Sequence, residues 1–235
     1  MIKQPKQEDL LYLSSTFSKL LKRRFGKGPE TCFVMFKGTR LYVYIRKFMT
    51  PAEEVLIGNN ELNLAINFRS SVIGAVIEDF IPEVSKILDG EFRNFLHDWN
   101  YDANTGVVLL EKAHSDHEAK IDVFFEDTLF NLIEGVGSRY HRRPTSLKVV
   151  KFTQNICAVE SKGVLLPLEN LVYQRGNLDL LLYQVREIKR GYFKHKSLFE
   201  DLFNRLIEDM FIMWDYESDR NYIIFIFTKE EYLMS

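Results

Sequence analysis

Lys22-Arg23-Arg24-Phe25-Gly26-Lys27-Gly28-Pro29, followed by the apolar run Thr31 to Phe36, decides the fold, because a helix end and a strand start are written there side by side. Upstream, Leu10, Leu11, Leu13, Phe17, Leu20 and Leu21 recur at the three-and-four spacing of one buried helical face. The cations suit the negative end of the helix dipole, glycine accepts a left-handed cap, and proline forbids continuation. Downstream, Thr31 to Phe36 and Leu41 to Phe48 are rich in aromatic and β-branched residues around Lys37-Gly38-Thr39-Arg40, which predicts a hairpin.

Thr50-Pro51-Ala52-Glu53 then carries a capping threonine, a proline in the first turn and an acid three residues on, so a short helix starts there. After Gly58-Asn59-Asn60 a longer helical stripe runs through Leu62, Ile66, Ile73, Val76, Ile77, Phe80, Val84, Ile87 and Leu88, with Pro82 as a kink point and Gly90 as its stop. A second strand pair, Phe92 to Tyr101 and Gly106 to Leu110, closes on the turn Asp102-Ala103-Asn104-Thr105. The order is α-β-β-α-α-β-β.

From about Phe124 the order returns: a helix with Leu129, Leu132, Ile133 and Val136, then strands Leu147 to Phe152 and Ile156 to Ser161. At a shift of 115, Pro29 falls on Pro144 and Trp99 on Trp214; at 116, Pro51 falls on Pro167, Glu53 on Glu169 and Leu62 on Leu178. Repeats of full-domain size imply two similar cores. The expected fold is therefore α+β: a unit over 1–112, a polar linker over 113–123 containing most of KAHSDHEAKID, and a diverged unit over 124–235. Each is expected to be a small, mainly antiparallel sheet covered on one face by helices, the pair arranged as a pseudo-dimer.

Composition narrows the function classes. The chain has 235 residues, 46% apolar and 27% charged, which is globular rather than disordered, and its formal charge of -2 gives no whole-protein field for nucleic acid or anionic lipid. Cys32 and Cys157 lie in apolar runs and are expected to be reduced and structural. MIKQPKQEDL lacks a signal-peptide core, and no stretch approaches the roughly 18 to 20 apolar residues of a membrane span, so a cytoplasmic protein is expected.

The basic helix end with Gly26-Lys27-Gly28-Pro29, the aromatic hairpin, Thr50-Pro51-Ala52-Glu53 and the long amphipathic helix together resemble the MpsC-like family over most of residues 9–112. The resemblance implies a soluble, cytoplasmic, non-catalytic accessory of a sodium-translocating, membrane-potential-generating system, or of a bicarbonate-accumulating one, peripheral to the membrane through a protein partner. It supplies no catalytic residue. His141, Arg142 and Arg143 stand where Gly26, Lys27 and Gly28 stand in the first unit, so a flexible glycine turn is not expected in the second.

Candidate chemistry is sparse. A phosphate loop needs a strand, a glycine turn and then a helix, whereas Gly26 and Gly28 follow a helix and precede a strand. Lys22, Arg23, Arg24 and Lys27, with Lys19 beside them, form a basic cluster that Arg139, His141, Arg142 and Arg143 repeat. The cluster is either a solvated helix end or a contact, used by both halves, for an anion, a phospholipid, a nucleic acid or a protein partner. His114, Asp116 and His117 have spacing that could hold a metal, but a site needs three or four fixed ligands and nothing nearby completes the set. Glu53 and Glu169 coincide between the units and suit either capping or acid-base work. No nucleophile elbow is present, and Ser14-Ser15 shows no relation to His97, His141 or His195, so neither enzyme activity nor a cofactor is expected.

Overall fold

The computed structural model describes residues 5–113 and 121–228. The chain divides into two compact units, Met1–Glu118 and Ala119–Ser235. His114, Asp116 and His117 lie outside the described residues. Ala113 still bonds to the first unit through Glu91 O at 2.8 Å, whereas Ile121 and Val123, at the far end of the expected linker, pack against the core of the second.

The first unit contains α1 (Gln7–Phe25), β1 (Thr31–Lys37), β2 (Arg40–Arg46), α2 (Pro51–Gly58), α3 (Leu62–Leu88), β3 (Phe92–Asn100) and β4 (Thr105–Lys112). Helix α1 ends as its sequence requires, with Gly26 left-handed at φ 76° and bonded to Lys22 O. Gly38, at φ 60°, turns β1 tightly into β2, so that Lys37 faces Arg40. Lys47 at φ 53° ends β2 earlier than the apolar run to Phe48 suggests. All pairings are antiparallel and the strand order is β1-β2-β4-β3, so the two hairpins meet through their second strands.

Helices α1 and α3 pack on one face of this sheet. Leu13, Phe17 and Leu21 of α1 and Ile73, Val76, Ile77, Phe80 and Val84 of α3 meet Leu41, Val43, Ile45, Val108 and Leu110 of the strands. Phe17 sets its ring edge-on to Phe80, with centroids 4.9 Å apart. Helix α3 runs unbroken through Pro82. Its left-handed cap is Asp89 (φ 48°) rather than Gly90, and the Lys112 ammonium, 2.9 Å from Leu88 O and 3.1 Å from Asp89 O, satisfies the terminal carbonyls.

The second unit contains α4 (Glu126–Gly137), β5 (Ser146–Phe152), β6 (Ile156–Lys162), α5 (Pro167–Gln174), α6 (Leu178–Lys194), α7 (Lys196–Phe203), β7 (Ile207–Asp215) and β8 (Arg220–Phe227). The sheet order β5-β6-β8-β7 is the order of the first. A register shift between Ile207 and Asp209 falls 115 residues after the one between Phe92 and Asn94. One expectation fails: the long helix is split here, giving α-β-β-α-α-α-β-β. The split is at His195, whose imidazole donates to Gly191 O at 2.9 Å while its backbone N–H turns to Tyr192 O. A side chain that takes the carbonyl of residue i−4 competes with the helical ladder at that point.

Candidate functional site

The capping box predicted at Thr50 is present. Glu53 N–H donates to Thr50 Oγ1 at 3.4 Å, and Glu53 Oε2 accepts from Thr50 N–H at 2.9 Å and from the Thr50 hydroxyl at 2.7 Å. Capping is only part of what Glu53 does. Fully buried, it receives the guanidinium of Arg69, itself 3% exposed, in a two-pronged pair: Nε donates to Oε1, and Nη2 donates to Oε2 at 2.6 Å. Nη2 also reaches Phe48 O at 2.8 Å. One side chain of α3 thereby holds the end of the β2 region and the start of α2.

Aromatic rings enclose the pair. The guanidinium carbon lies 4.3 Å from the ring centroid of Trp99, 5.1 Å from that of Phe48 and 5.2 Å from that of Tyr101. Trp99 Nε1–H donates to His97 Nδ1 at 3.1 Å, which places the His97 proton on Nε2. Burial, reinforced by the charge of Arg69, brings the His97 pKa down to about 4, so the ring is neutral at physiological pH. Burial raises the Tyr101 phenol, with Arg69 opposing. In this cluster neither His97 nor Tyr101 is poised to exchange a proton near neutrality. The cluster holds the chain in place.

The second unit builds the same corner without the cation. Glu169 again starts the helix, accepting from Leu166 N–H at 2.5 Å, but Gln184 takes the place of Arg69 and donates its amide to Oε1. Trp214 and Tyr216 occupy the places of Trp99 and Tyr101, with rings stacked at 6.1 Å, and Tyr173 stacks on Tyr216 at 5.5 Å. Burial raises the Glu169 carboxyl, opposed by the bonds from Leu166 and Gln184. An acid with a raised folded pKa lends its stability below the unfolded value and loses it as pH climbs through the folded one. Glu169→Gln keeps both bonds if the Gln184 amide turns over. Its advantage over the wild type is therefore expected to be near zero at about pH 4, around the ordinary carboxylate value, and to grow as the pH rises towards 7. Urea unfolding followed through Trp214 in a Trp99→Phe background measures this, and a pH-independent difference refutes it.

His141, at the place of Gly26, is buried against Trp214 with centroids 5.9 Å apart. Its Nδ1–H donates to Arg142 O at 2.8 Å and its Nε2 accepts from the Tyr192 hydroxyl at 2.9 Å. Burial lowers its pKa, in keeping with a neutral ring. The glycine turn of the first unit is thus replaced by a packed imidazole.

The basic turns are spread out and partly neutralised. Arg23 and Arg24 converge on Asp79 of α3 at 2.6 and 2.8 Å, and the hydrogen bond from Arg24, with help from Arg23, holds that carboxyl below its ordinary value. Lys27 donates to Met49 O at 2.8 Å, and Arg143 pairs with Glu134 at 2.9 Å. Lys22, Arg139 and Arg142 are exposed. Among the described residues no group of three or more His, Cys, Asp or Glu is placed to hold a metal. Cys32 and Cys157 are free thiols, both raised in pKa by burial.

Outside the buried corner lies a feature that the helical patterns did not disclose. The outward sides of α2 and α3 expose Val55 (63%), Leu64 (52%) and Phe68 (38%), and Leu171, Leu180 and Tyr183 are exposed at 46%, 62% and 58% on α5 and α6. The shifts between partners are 116, 116 and 115, the shifts that relate the two units elsewhere. No helix of the described residues is long and apolar enough to cross a membrane. No curated protein and no solved structure matches the chain. Residues 10–111, which span the first unit from α1 to β4, match the family model described as "Na+-translocating membrane potential-generating system (MpsC)", so the first unit is similar to that family.

Proposed function

We propose that the protein is a non-catalytic accessory of a membrane ion-translocating system, and that its first unit docks on a membrane-embedded protein through the exposed apolar side of α2 and α3. The observation that carries this is the recurrence of large exposed apolar residues at three equivalent places in the two units. A patch kept apolar in water at matching positions suits a surface that is covered in use. The Glu53–Arg69 pair beneath it supports the same view, because a face fixed from below loses little freedom on binding. The family description supplies the membrane system. The second unit, with its equal strand order and matching register shift, is read as a diverged duplicate of the first.

The test is affinity capture from detergent-solubilised native membranes with the full chain and with Val55→Gln/Leu64→Gln/Phe68→Gln. The wild type is expected to retain a membrane protein that the variant holds about tenfold or more less tightly. Circular dichroism checks that the variant is folded. Capture of no membrane protein by the wild type, or equal capture by both, removes the proposal.

A further inference from the structure

The same corner of the second unit has diverged in charge. Residues 50–79 of the first unit hold one basic side chain, Arg69, and five acidic ones, Glu53, Glu54, Glu61, Glu78 and Asp79, a formal -4; Arg69 pairs with Glu53 and Arg23 and Arg24 of α1 with Asp79, which leaves Glu54, Glu61 and Glu78 as the acidic surface. The equivalent residues 166–194 hold five basic ones, Arg175, Arg186, Lys189, Arg190 and Lys194, against Glu169, Asp179 and Glu187, a formal +2. The apolar surface has grown as well. Leu166, Leu168, Leu171, Leu178, Leu180 and Tyr183 are each at least 37% exposed along α5, the turn at Gly176 and the first half of α6.

The two kinds of residue are arranged in sequence along the helices. Leu168 and Leu171 are one turn apart on α5, as are Leu180 and Tyr183 on α6. Arg186, one turn beyond Tyr183, sets its guanidinium 5.7 Å from that ring. Arg190 and Lys194 follow at the next turns, Arg190 carrying a surface pair with Glu187 at 2.6 Å. Helix α6 therefore passes from exposed leucine, through a tyrosine with an arginine on it, to a basic end. A helix tilted into a lipid headgroup region sets its leucine end among the acyl chains, an amphipathic ring at the boundary and its basic end at the phosphates. A bilayer also asks for no shape complementarity, and an open depression lined by Gly176 to Leu180 lies at the turn.

We propose that the α5–α6 hairpin of the second unit is a contact for an anionic lipid surface. The charge reversal relative to the first unit selects this occupant. An acidic corner is repelled by anionic headgroups, whereas juxtaposed arginine and lysine are drawn to them, and the leucines then enter the interface. The contact goes beyond the protein docking proposed for the first unit and does not depend on it.

The experiment uses the purified full chain and vesicles of phosphatidylcholine alone or of phosphatidylcholine with phosphatidylglycerol, read by cosedimentation. Binding is expected only with phosphatidylglycerol and is weakened by salt. Arg186→Gln and Arg190→Gln should each lower affinity about fivefold, and Leu168→Gln/Leu180→Gln about tenfold or more. Val55→Gln/Leu64→Gln, in the first unit, should bind as the wild type does. Absence of sedimentation, equal binding to both vesicles, or binding untouched by the second-unit variants overturns the proposal. So does loss, in Leu168→Gln/Leu180→Gln, of a detergent-solubilised protein that the wild type captures while sedimenting with neither vesicle; that result assigns the hairpin to a protein. Because the vesicles contain no protein, failure here is separable from failure of the docking proposed for the first unit.

Discussion

Arg69→Leu is expected to destabilise the first unit by about 3–5 kcal/mol, the usual cost of removing one partner of a buried pair and leaving the other charge without compensation. Glu53 has no exposure through which to recruit water, and its remaining donors, the Thr50 N–H and hydroxyl, carry no charge. Arg69→Leu also frees Phe48 O and removes the cation from the face of Trp99. Arg69→Gln, which copies the second unit, keeps one donor for Glu53 and should cost less. Glu53→Leu/Arg69→Leu should cost less than the sum of its single substitutions, because no orphaned charge remains. Urea unfolding in a Trp214→Phe background, followed through Trp99, gives the midpoints. A midpoint for Arg69→Leu equal to that of its parent would show that the pair contributes nothing.

Much of the framework was legible because it rests on local chemistry. The left-handed Gly26, the hairpin at Gly38, the Thr50 cap and the 115/116 register are written in short stretches whose backbone preferences act over a few residues. What was missed depends on contacts between distant residues. Glu53 reads as a cap and is one, so nothing local signals that it also binds a residue 16 positions on. A signal did exist. Arg69 falls between Ala65 and Ile73 on the buried stripe of α3, and a cation there requires an anion. The split at His195 was hidden for a related reason, since an imidazole bond to Gly191 O competes with the ladder without any proline or glycine to mark it at that position. The exposed leucines of α5 and α6 were illegible for the opposite reason. Apolar periodicity states which residues are apolar, not which side of a hairpin the rest of the unit covers, so Leu180 and Leu181 look alike in sequence although one is 62% exposed and the other 3%.

Gly106→Ala should show how closely the corner of the first unit is packed. Gly106 faces Trp99 across the β3–β4 ladder, and a Cβ built there would stand 2.0 Å from Trp99 Cε3 and 2.2 Å from Cζ3. Those atoms belong to a rigid indole, so the methyl group can be accommodated only by moving the whole ring. Moving it removes the ring from the Arg69 guanidinium and breaks its N–H bond to His97. The expected cost is about 1–3 kcal/mol, typical of an overfilled core. The second unit indicates how a larger residue is tolerated. There Asn221 faces the tryptophan, and Trp214 lies against His141 and Tyr216 instead. The first unit has Gly26 where the second has His141 and so lacks that imidazole as a surface for the indole. The cost of Gly106→Ala should therefore fall to a few tenths of a kcal/mol in a Trp99→Leu background, where no ring opposes the methyl group. With Trp214→Phe as parent, Gly106→Ala should also shift Trp99 emission to the red as the ring leaves the cage. An unchanged emission maximum together with an unchanged unfolding midpoint would mean that the indole is not held against Gly106.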